Sequence, residues 1–421
     1  MRVAFLVYRG NPHCGGQGVY TRHLTRELTR IGHAVTVFSG QPYPHLVDGV
    51  ELVRVPSLDL YREPEPFRVP RPREVESSVD LLELATMWTG GFPEPRTFSL
   101  RAARLLAGRR GDFDLVHDDQ SLGPGLLRLV ASGWPVVASI HHPVEVDRAV
   151  DLDHAPSRGR RLQLRRWYGF AAMQARVARR LPAILTVSQS SRDDIVARIG
   201  VDPERIAVVH VGVDPALHRP VPGVARVPGR IMTTASADIP MKGLVPLLEA
   251  LAKVRTDHPA AHLLVVGRLR ERSPAAAVLA RLGLENVVEF VTGESDERLV
   301  ERYAQASIAV VPSLYEGFSL PAVEAMACGV PLVATSGGAL REVVGADGDT
   351  ALVVPPGEPD ALAGAIRLLL DEPELAARLG SAGRRRVLER FTWGATARGT
   401  AEQYVSLLDA HRRGASLGAR C

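Results

Sequence analysis

Short apolar runs alternate with stretches of helical period along most of the chain. Runs at 3–8, 34–38, 52–55, 115–117, 136–140, 184–187 and 206–209 are rich in Val, Ile and Leu and have the length of buried strands. A second series follows at 231–234, 263–266, 287–290, 308–311, 332–334 and 352–354. Helical segments lie between most of them, for example 19–31, 244–253 and 274–282. Apolar strands separated by helices predict parallel sheets covered on both faces. Between the two series stands "PALHRPVPGVARVPGR", 215–230, with four prolines and two glycines. Proline lacks a donor and fixes φ, so this stretch reads as a linker. The expected fold is α/β, with two doubly wound Rossmann-like domains joined near residue 220. Ligands of such sheets bind beyond the carboxyl ends of the strands, and two facing sheets would hold one in a cleft between them.

Residues 61–73 are rich in proline and arginine, and 90–95 in glycine and proline, after an apolar segment at 79–88. That is long for a connection, so the expectation is a functional lid or a poorly ordered insertion.

Length and composition agree with two domains. The chain has 421 residues, 46% of them apolar and 23% charged, as in a globular protein. A formal charge of +4 gives no ground for a nucleic-acid partner. Cys14, Cys328 and Cys421 are scattered, with neither disulfide nor metal spacing. The first apolar run is too short for a signal segment and no run approaches a membrane span, so a reducing cytoplasm is expected. Lys242 and Lys253 are the only lysines among the 51 Lys and Arg residues, which makes each a question. Lys242 precedes Gly243 at a loop-to-helix junction and reads as functional; Lys253, in mid-helix, reads as solvated surface.

The strongest candidate chemistry lies in "SLYEGFSLPAVEAMACGVPLVAT", 313–335. It reads as a loop, then a helix with Pro321 in its first turn, where a missing donor does no harm. The amides of Phe318, Ser319 and Leu320 would then point outward from a helix N-terminus, which attracts phosphate. Glu316 stands in the loop and Glu324 on the helix. Carboxylates there suit sugar hydroxyls, because each accepts several hydrogen bonds. An isolated glutamate would read as solvated or capping; the loop, proline and small-residue helix favour a ligand role. Upstream, "CGGQGVYTRHLTREL" follows the first strand, and Gly15 and Gly16 permit close approach of a phosphate. The spacing is not G-x-G-x-x-G and the second strand ends without an acid, which disfavours an NAD enzyme. His141 and His142 end the strand at 136–140, where at most one can face a ligand.

Together these segments resemble the retaining GT-B glycosyltransferases of family 4, over nearly the whole chain and least at 56–110. The resemblance implies that Glu324 holds the ribose of a sugar nucleotide and Glu316 a hydroxyl of the donor sugar. The amides of Phe318–Leu320 would hold sugar hydroxyls or phosphate, Gly15 and Gly16 would lie beside the phosphate, and His141 near the sugar's 6-position. Lys242 would neutralise the diphosphate, and no metal or other cofactor is expected. Family members usually carry an arginine five residues before that lysine. Here the position is Ala237, and Arg268 is the candidate replacement.

The expected domains are 1–218, for the acceptor, with a terminal helix at about 394–413 crossing back to it, and 219–393, for the nucleotide-sugar donor. The expected reaction moves a sugar from a nucleotide diphosphate to an acceptor with retention. A glycoside hydrolase is disfavoured because both glutamates lie on one element beside a phosphate site. A GT-B sugar-nucleotide epimerase and a non-catalytic nucleotide-sugar binder remain as alternatives. The acceptor is open between a small molecule and a lipid-linked one. Nine arginines and no acid lie between 154 and 192, where "RRWYGFAAMQARVARR" places Trp167, Phe170, Met173 and Val177 near one helix face. Packing of that face into the domain is favoured, with weak peripheral contact at the inner membrane face as a further expectation.

Overall fold

The computed structural model describes residues 1–11, 16–62, 65–153, 155, 157–235, 239–270 and 273–418. They form two compact units. The first comprises Met1–Val187, Ser191–Val209 and Thr396–Cys421, and the second Ser188–Ser190 and His210–Ala395. The first unit therefore ends its main run upstream of the expected 218, before the proline-rich stretch begins.

In the first unit seven strands pair in parallel: β1 (Arg2–Val7), β2 (Ala34–Ser39), β3 (Glu51–Arg54), β4 (Leu115–Asp119), β5 (Val136–Ile140), β6 (Ala183–Thr186) and β7 (Ile206–Val208). Their order is β3-β2-β1-β4-β5-β6-β7. The second unit has β8 (Arg230–Thr234), β9 (His262–Val266), β10 (Val288–Val291), β11 (Ile308–Val311), β12 (Leu332–Thr335) and β13 (Leu352–Val354), in the order β10-β9-β8-β11-β12-β13. Both are doubly wound sheets, and in each the winding reverses once, between β1 and β4 and between β8 and β11. At such a switch point the loops leave in opposite directions and open a crevice at the carboxyl edge.

The central strands are buried on both faces, which is why they read as unbroken apolar runs. Each sheet carries its own core. Leu6, Phe38, Leu106, Leu126, Val136 and Ile184 are among the residues filling the first. Leu247, Leu251, Leu263, Val310, Leu362 and Leu379 are among those of the second. Each such side chain contributes ~1.5–3 kcal/mol relative to an exposed one.

The segment at 56–110 has no regular secondary structure at 56–62 and 65–71, a short turn at Pro72–Glu74, and then two helices. Ser77 caps the helix Ser78–Trp88 in a capping box with Asp80, and Pro95 sits in the first turn of the helix Glu94–Ala107. Residues 63–64 lie outside the described residues. The basic stretch also differs from expectation. It forms two helices, Arg158–Trp167 and Gly169–Ala178, broken at Tyr168, so Trp167 and Val177 do not share one helical face. Val177 is buried in the core, whereas Trp167 packs with Tyr61 and Phe92.

The last helix, Trp393–Gly418, belongs to the first unit from Thr396 onward. The Tyr404 hydroxyl lies 2.6 Å from Nδ1 of His117 on β4, whose Nε2 lies 2.7 Å from Ser139 Oγ on β5. Burial holds His117 at a pKa of about 3, so this buried polar chain is neutral.

Candidate active site

In the second unit the switch point is built by the loops after β8 and β11. The loop after β8 passes through a tight turn, Pro240–Lys242, and enters the helix Leu244–Val254 through Gly243. Gly243 has φ 67°, and a Cβ there would stand 1.9 Å from the Pro312 carbonyl oxygen, so only glycine lets the two loops touch. That contact brings Lys242 beside Glu316. Lys242 Nζ donates to Glu316 Oε1 at 2.9 Å, and the Ser313 hydroxyl donates to the same oxygen at 2.6 Å. Glu316 is 9% exposed. A second glycine holds the loop from behind: Gly338, at φ 62°, allows the Ala339 amide to reach the Glu316 carbonyl at 2.9 Å.

The loop then rises into the helix Leu320–Ala327. Phe318 is buried against Phe391 and His210, with ring centroids 5.6 and 6.0 Å away, and so fixes the backbone as a wedge. Ser319 is strained, with φ 88° and ψ 80°, and is 4% exposed. Its hydroxyl has no hydrogen-bond partner among the described residues. Strain and an unsatisfied buried hydroxyl at a helix N-terminus are what a site awaiting an anion would show. Leu320 is the half-buried first residue of that helix.

Glu324 lies one turn further on, half-buried. The Tyr303 hydroxyl is 3.2 Å from its Oε2 and 3.0 Å from Thr234 Oγ1 at the end of β8. Burial pushes the Glu324 carboxyl above its ordinary range, against the opposing pull of His218 and the Tyr303 hydrogen bond. Arg268 is exposed in the turn after β9, the strand beside β8. Ala237 lies outside the described residues.

In the first unit Gly15 also lies outside the described residues, and Gly16 opens the helix Gly16–Arg30 at the carboxyl end of β1. His141 follows β5 at the same edge. Its Nε2 is 2.7 Å from Asp119 Oδ1, and a carboxylate only accepts, so Nε2 carries a proton and Nδ1 is the ring nitrogen turned away from Asp119. Tyr20 packs edge-on against the imidazole at 4.6 Å. Gln120 adds a further restraint, accepting from the His141 amide at 2.7 Å and donating to the His142 carbonyl at 3.0 Å. His142 turns elsewhere, to Asp147 at 2.8 Å.

The structure thus brings Lys242, Glu316, Phe318, Ser319, Leu320 and Glu324 together, and holds Gly16 and His141 at one edge of the first sheet. Sequence reading missed Asp119 and Gln120. Their signal was present in "VHDDQS", acids placed at the carboxyl end of a buried strand. The turn after them is unusual, with φ 56° at Gln120 and 46° at Leu122. Asp118 pins it by accepting from the Leu122 amide at 2.9 Å and from the Ser121 hydroxyl. Tyr303, Ser313 and Gly338 were also missed, because only the folded loops bring them near the glutamates.

Residues 225–386 match the family model described as Glycosyl transferases group 1, and residues 14–217 the model described as Glycosyltransferase Family 4. The chain is 53% identical, over 405 residues, to the MMP alpha-(1->4)-mannosyltransferase of Mycolicibacterium hassiacum, with 96% of this chain and 98% of that one covered. It is 30% identical to the D-inositol 3-phosphate glycosyltransferase of Streptomyces bingchenggensis, covering 96% and 87%. Among solved structures, sucrose-phosphate synthase from Thermosynechococcus elongatus superposes with a TM-score of 0.73 at 24% identity, covering 97% of this chain and 99% of that one. Anabaena Alr3699/HepE in complex with UDP-glucose gives 0.66 at 21% identity, covering 96% and 100%.

Proposed function

Since the chain belongs to glycosyltransferase family 4 and has the GT-B fold, we propose that it is a retaining transferase that moves mannose from a nucleotide diphosphate to an acceptor hydroxyl. The choice of mannose follows the M. hassiacum relative, whose name gives both the sugar and an α-(1→4) linkage. The observation that carries the donor reading is the strained Ser319, with its unsatisfied buried hydroxyl, at the start of the helix Leu320–Ala327.

Each residue then has a task its geometry permits. The amides at the start of that helix and the Lys242 ammonium take the diphosphate. Lys242 has three N–H donors and gives one to Glu316, leaving two for phosphate oxygens. Glu316, fixed by Lys242 and Ser313, accepts from a hydroxyl of the donor sugar. Glu324 accepts from the ribose, and its raised proton affinity falls once hydroxyls donate to it. Arg268 supplies a second cation at the same sheet edge. Gly16 admits the phosphate or sugar closely, and His141, oriented by Asp119, offers Nδ1 to a sugar hydroxyl. As the bond to the anomeric carbon breaks, negative charge grows on the leaving phosphate, and the preorganised donors stabilise it there. The departing oxygen accepts the acceptor's proton as the new bond forms on the same face. In this scheme the protein's own cation and amides meet the diphosphate charge, and no metal takes part.

The test is turnover with a panel of nucleotide sugars and mannoside acceptors, read by mass spectrometry with and without EDTA. The expected result is mannosyl transfer from one nucleotide diphosphate mannose, undiminished by EDTA. Transfer abolished by EDTA and restored by a divalent cation would overturn the metal-free scheme; hydrolysis or epimerisation in place of transfer would overturn the reaction.

A further inference from the structure

We infer that the first unit carries a preformed groove for the saccharide chain of the acceptor beyond its reacting end. This rests on the transferase reading above and goes beyond it in naming an acceptor class and the residues that hold it.

A cavity of about 700 Å³ lies on this unit, within the range of built ligand sites (~300–1,000 Å³). Its walls include Phe67, Leu162 and Trp167, with Asp151, Arg160 and Gln163 among them. Two of the apolar side chains are conspicuously open, Phe67 at 59% and Leu162 at 69% exposed. Phe67 also has φ 64°, a conformation rarely adopted by a bulky residue. One edge of the Phe67 ring packs against Tyr61, with centroids 5.4 Å apart, while most of the ring stays open to solvent, and backbone strain of this kind collects at ligand sites.

The groove is joined to the ligand edge of the sheet by a run of rings. Tyr8 directly follows β1, and its ring centroid lies 6.5 Å from that of Phe92. Phe92 lies 5.1 Å from Trp167, and Trp167 lies 6.4 Å from Phe67. The run therefore starts beside the strand whose following loop carries Gly16 and ends in the cavity. The floor is fixed: the Tyr61 hydroxyl donates to the Gly91 carbonyl at 3.2 Å, and Arg166 donates to Thr89.

Rings set among a carboxylate, an amide and a guanidinium are what a pyranose chain requires. Its C–H faces lie against aromatic rings, and its hydroxyl rims take both donors and acceptors. A hydrocarbon chain would find Asp151, Arg160 and Gln163 unfavourable neighbours. Arg160 and Arg166 outweigh Asp151 in charge and would attract an anionic surface, but a flat bilayer does not enter a concavity. The occupant is accordingly an oligosaccharide, and on the mannosyl reading an α-(1→4)-linked one.

The experiment uses α-(1→4)-linked manno-oligosaccharides of one to six residues as acceptors for the full chain, Phe67→Ala and Leu162→Ala. Phe67 and Leu162 are surface residues, so both variants keep the fold. For the wild type, kcat/KM is expected to rise at least ~10-fold from the monosaccharide to the tetrasaccharide, as for a well-placed aromatic contact. In Phe67→Ala that ratio should fall towards one. A ratio that the variant leaves unchanged overturns the groove while the transferase reading stands. Fluorescence titration of Trp167 and the other tryptophans with the hexasaccharide, without donor, separates the two claims. Saturable binding lost in Phe67→Ala supports the groove even where no transfer is seen, a result that would sink the transferase reading alone. Flotation with phosphatidylglycerol vesicles provides the contrary arm: vesicle binding that Phe67→Ala abolishes, with no response to the hexasaccharide, overturns the saccharide assignment in favour of a membrane.

Discussion

Glu324 is the residue on which the proposed ribose contact rests. Its burial raises its pKa, and Tyr303, itself tied to Thr234, occupies one oxygen. Ribose hydroxyls would supply further hydrogen bonds to the ionised form. Glu324→Gln keeps the shape and the Tyr303 contact but halves the acceptor capacity, and Glu324→Ala removes it. Calorimetric titration with the cognate nucleotide diphosphate should show affinity reduced ~10- to 100-fold in Glu324→Ala, the equivalent of one or two charge-assisted hydrogen bonds. The melting temperature should stay within a few degrees of the wild type. Unchanged affinity would remove Glu324 from the ribose. In the same titrations Arg268→Ala should weaken the diphosphate more than the free nucleoside, and equal losses would show that Arg268 does not touch the diphosphate. At this scale the sequence was informative where chemistry is local. Lys242, Glu316 and Glu324 could be picked out by residue type and spacing, whereas Asp119, visible only as an acid at a strand end, could not be paired with His141, which meets it across two paired strands.

Elements were legible in proportion to the regularity of their period. The apolar runs of both sheets were visible because parallel strands buried on two faces have no other way to read. The helix Glu94–Ala107 was hidden by the proline and glycine before it, which mark its start and not a disordered stretch. Its docking has a pH signature. Glu94 is buried near Arg9 at 3.5 Å, and burial pushes its pKa up to about 8, outweighing Arg9 and reinforced by Glu83 and Asp59. A carboxyl whose pKa is raised on folding contributes stability that is complete below its ordinary range and is lost as pH rises through the folded value. Asp118, raised to about 7, adds a loss of the same sign, so the comparison must be made between variants at each pH. Glu94→Gln mimics the protonated form. Its stability relative to the wild type, from urea unfolding, should be near zero at pH 3.5 and should grow to ~3–5 kcal/mol in its favour by pH 9. A difference that does not change with pH would show that Glu94 is not protonated in the native state.

At the scale of the whole molecule, two sheets of the same winding carry different residues near their carboxyl edges, and the tasks proposed for them differ accordingly. The second places a lysine, two glutamates and a strained helix start at its switch point; the first places a helix start, an oriented histidine and a ring-lined groove. The closing helix ties its tyrosine into the polar chain of the first sheet. The return of the closing helix to the first unit was expected from the resemblance, but its joining of Tyr404 to His117 could not be read, because the two are 287 residues apart and neither stands in a recognisable spacing. The proposed retention of configuration can be read from the first product of transfer. Nucleotide diphosphate α-mannose and a mannoside acceptor are incubated with the protein and the first product is followed by proton NMR at the new anomeric centre. The expected result is an α-linked mannosyl product formed together with free nucleotide diphosphate. A β-linked first product, or no linkage formed with any nucleotide diphosphate mannose, would contradict it.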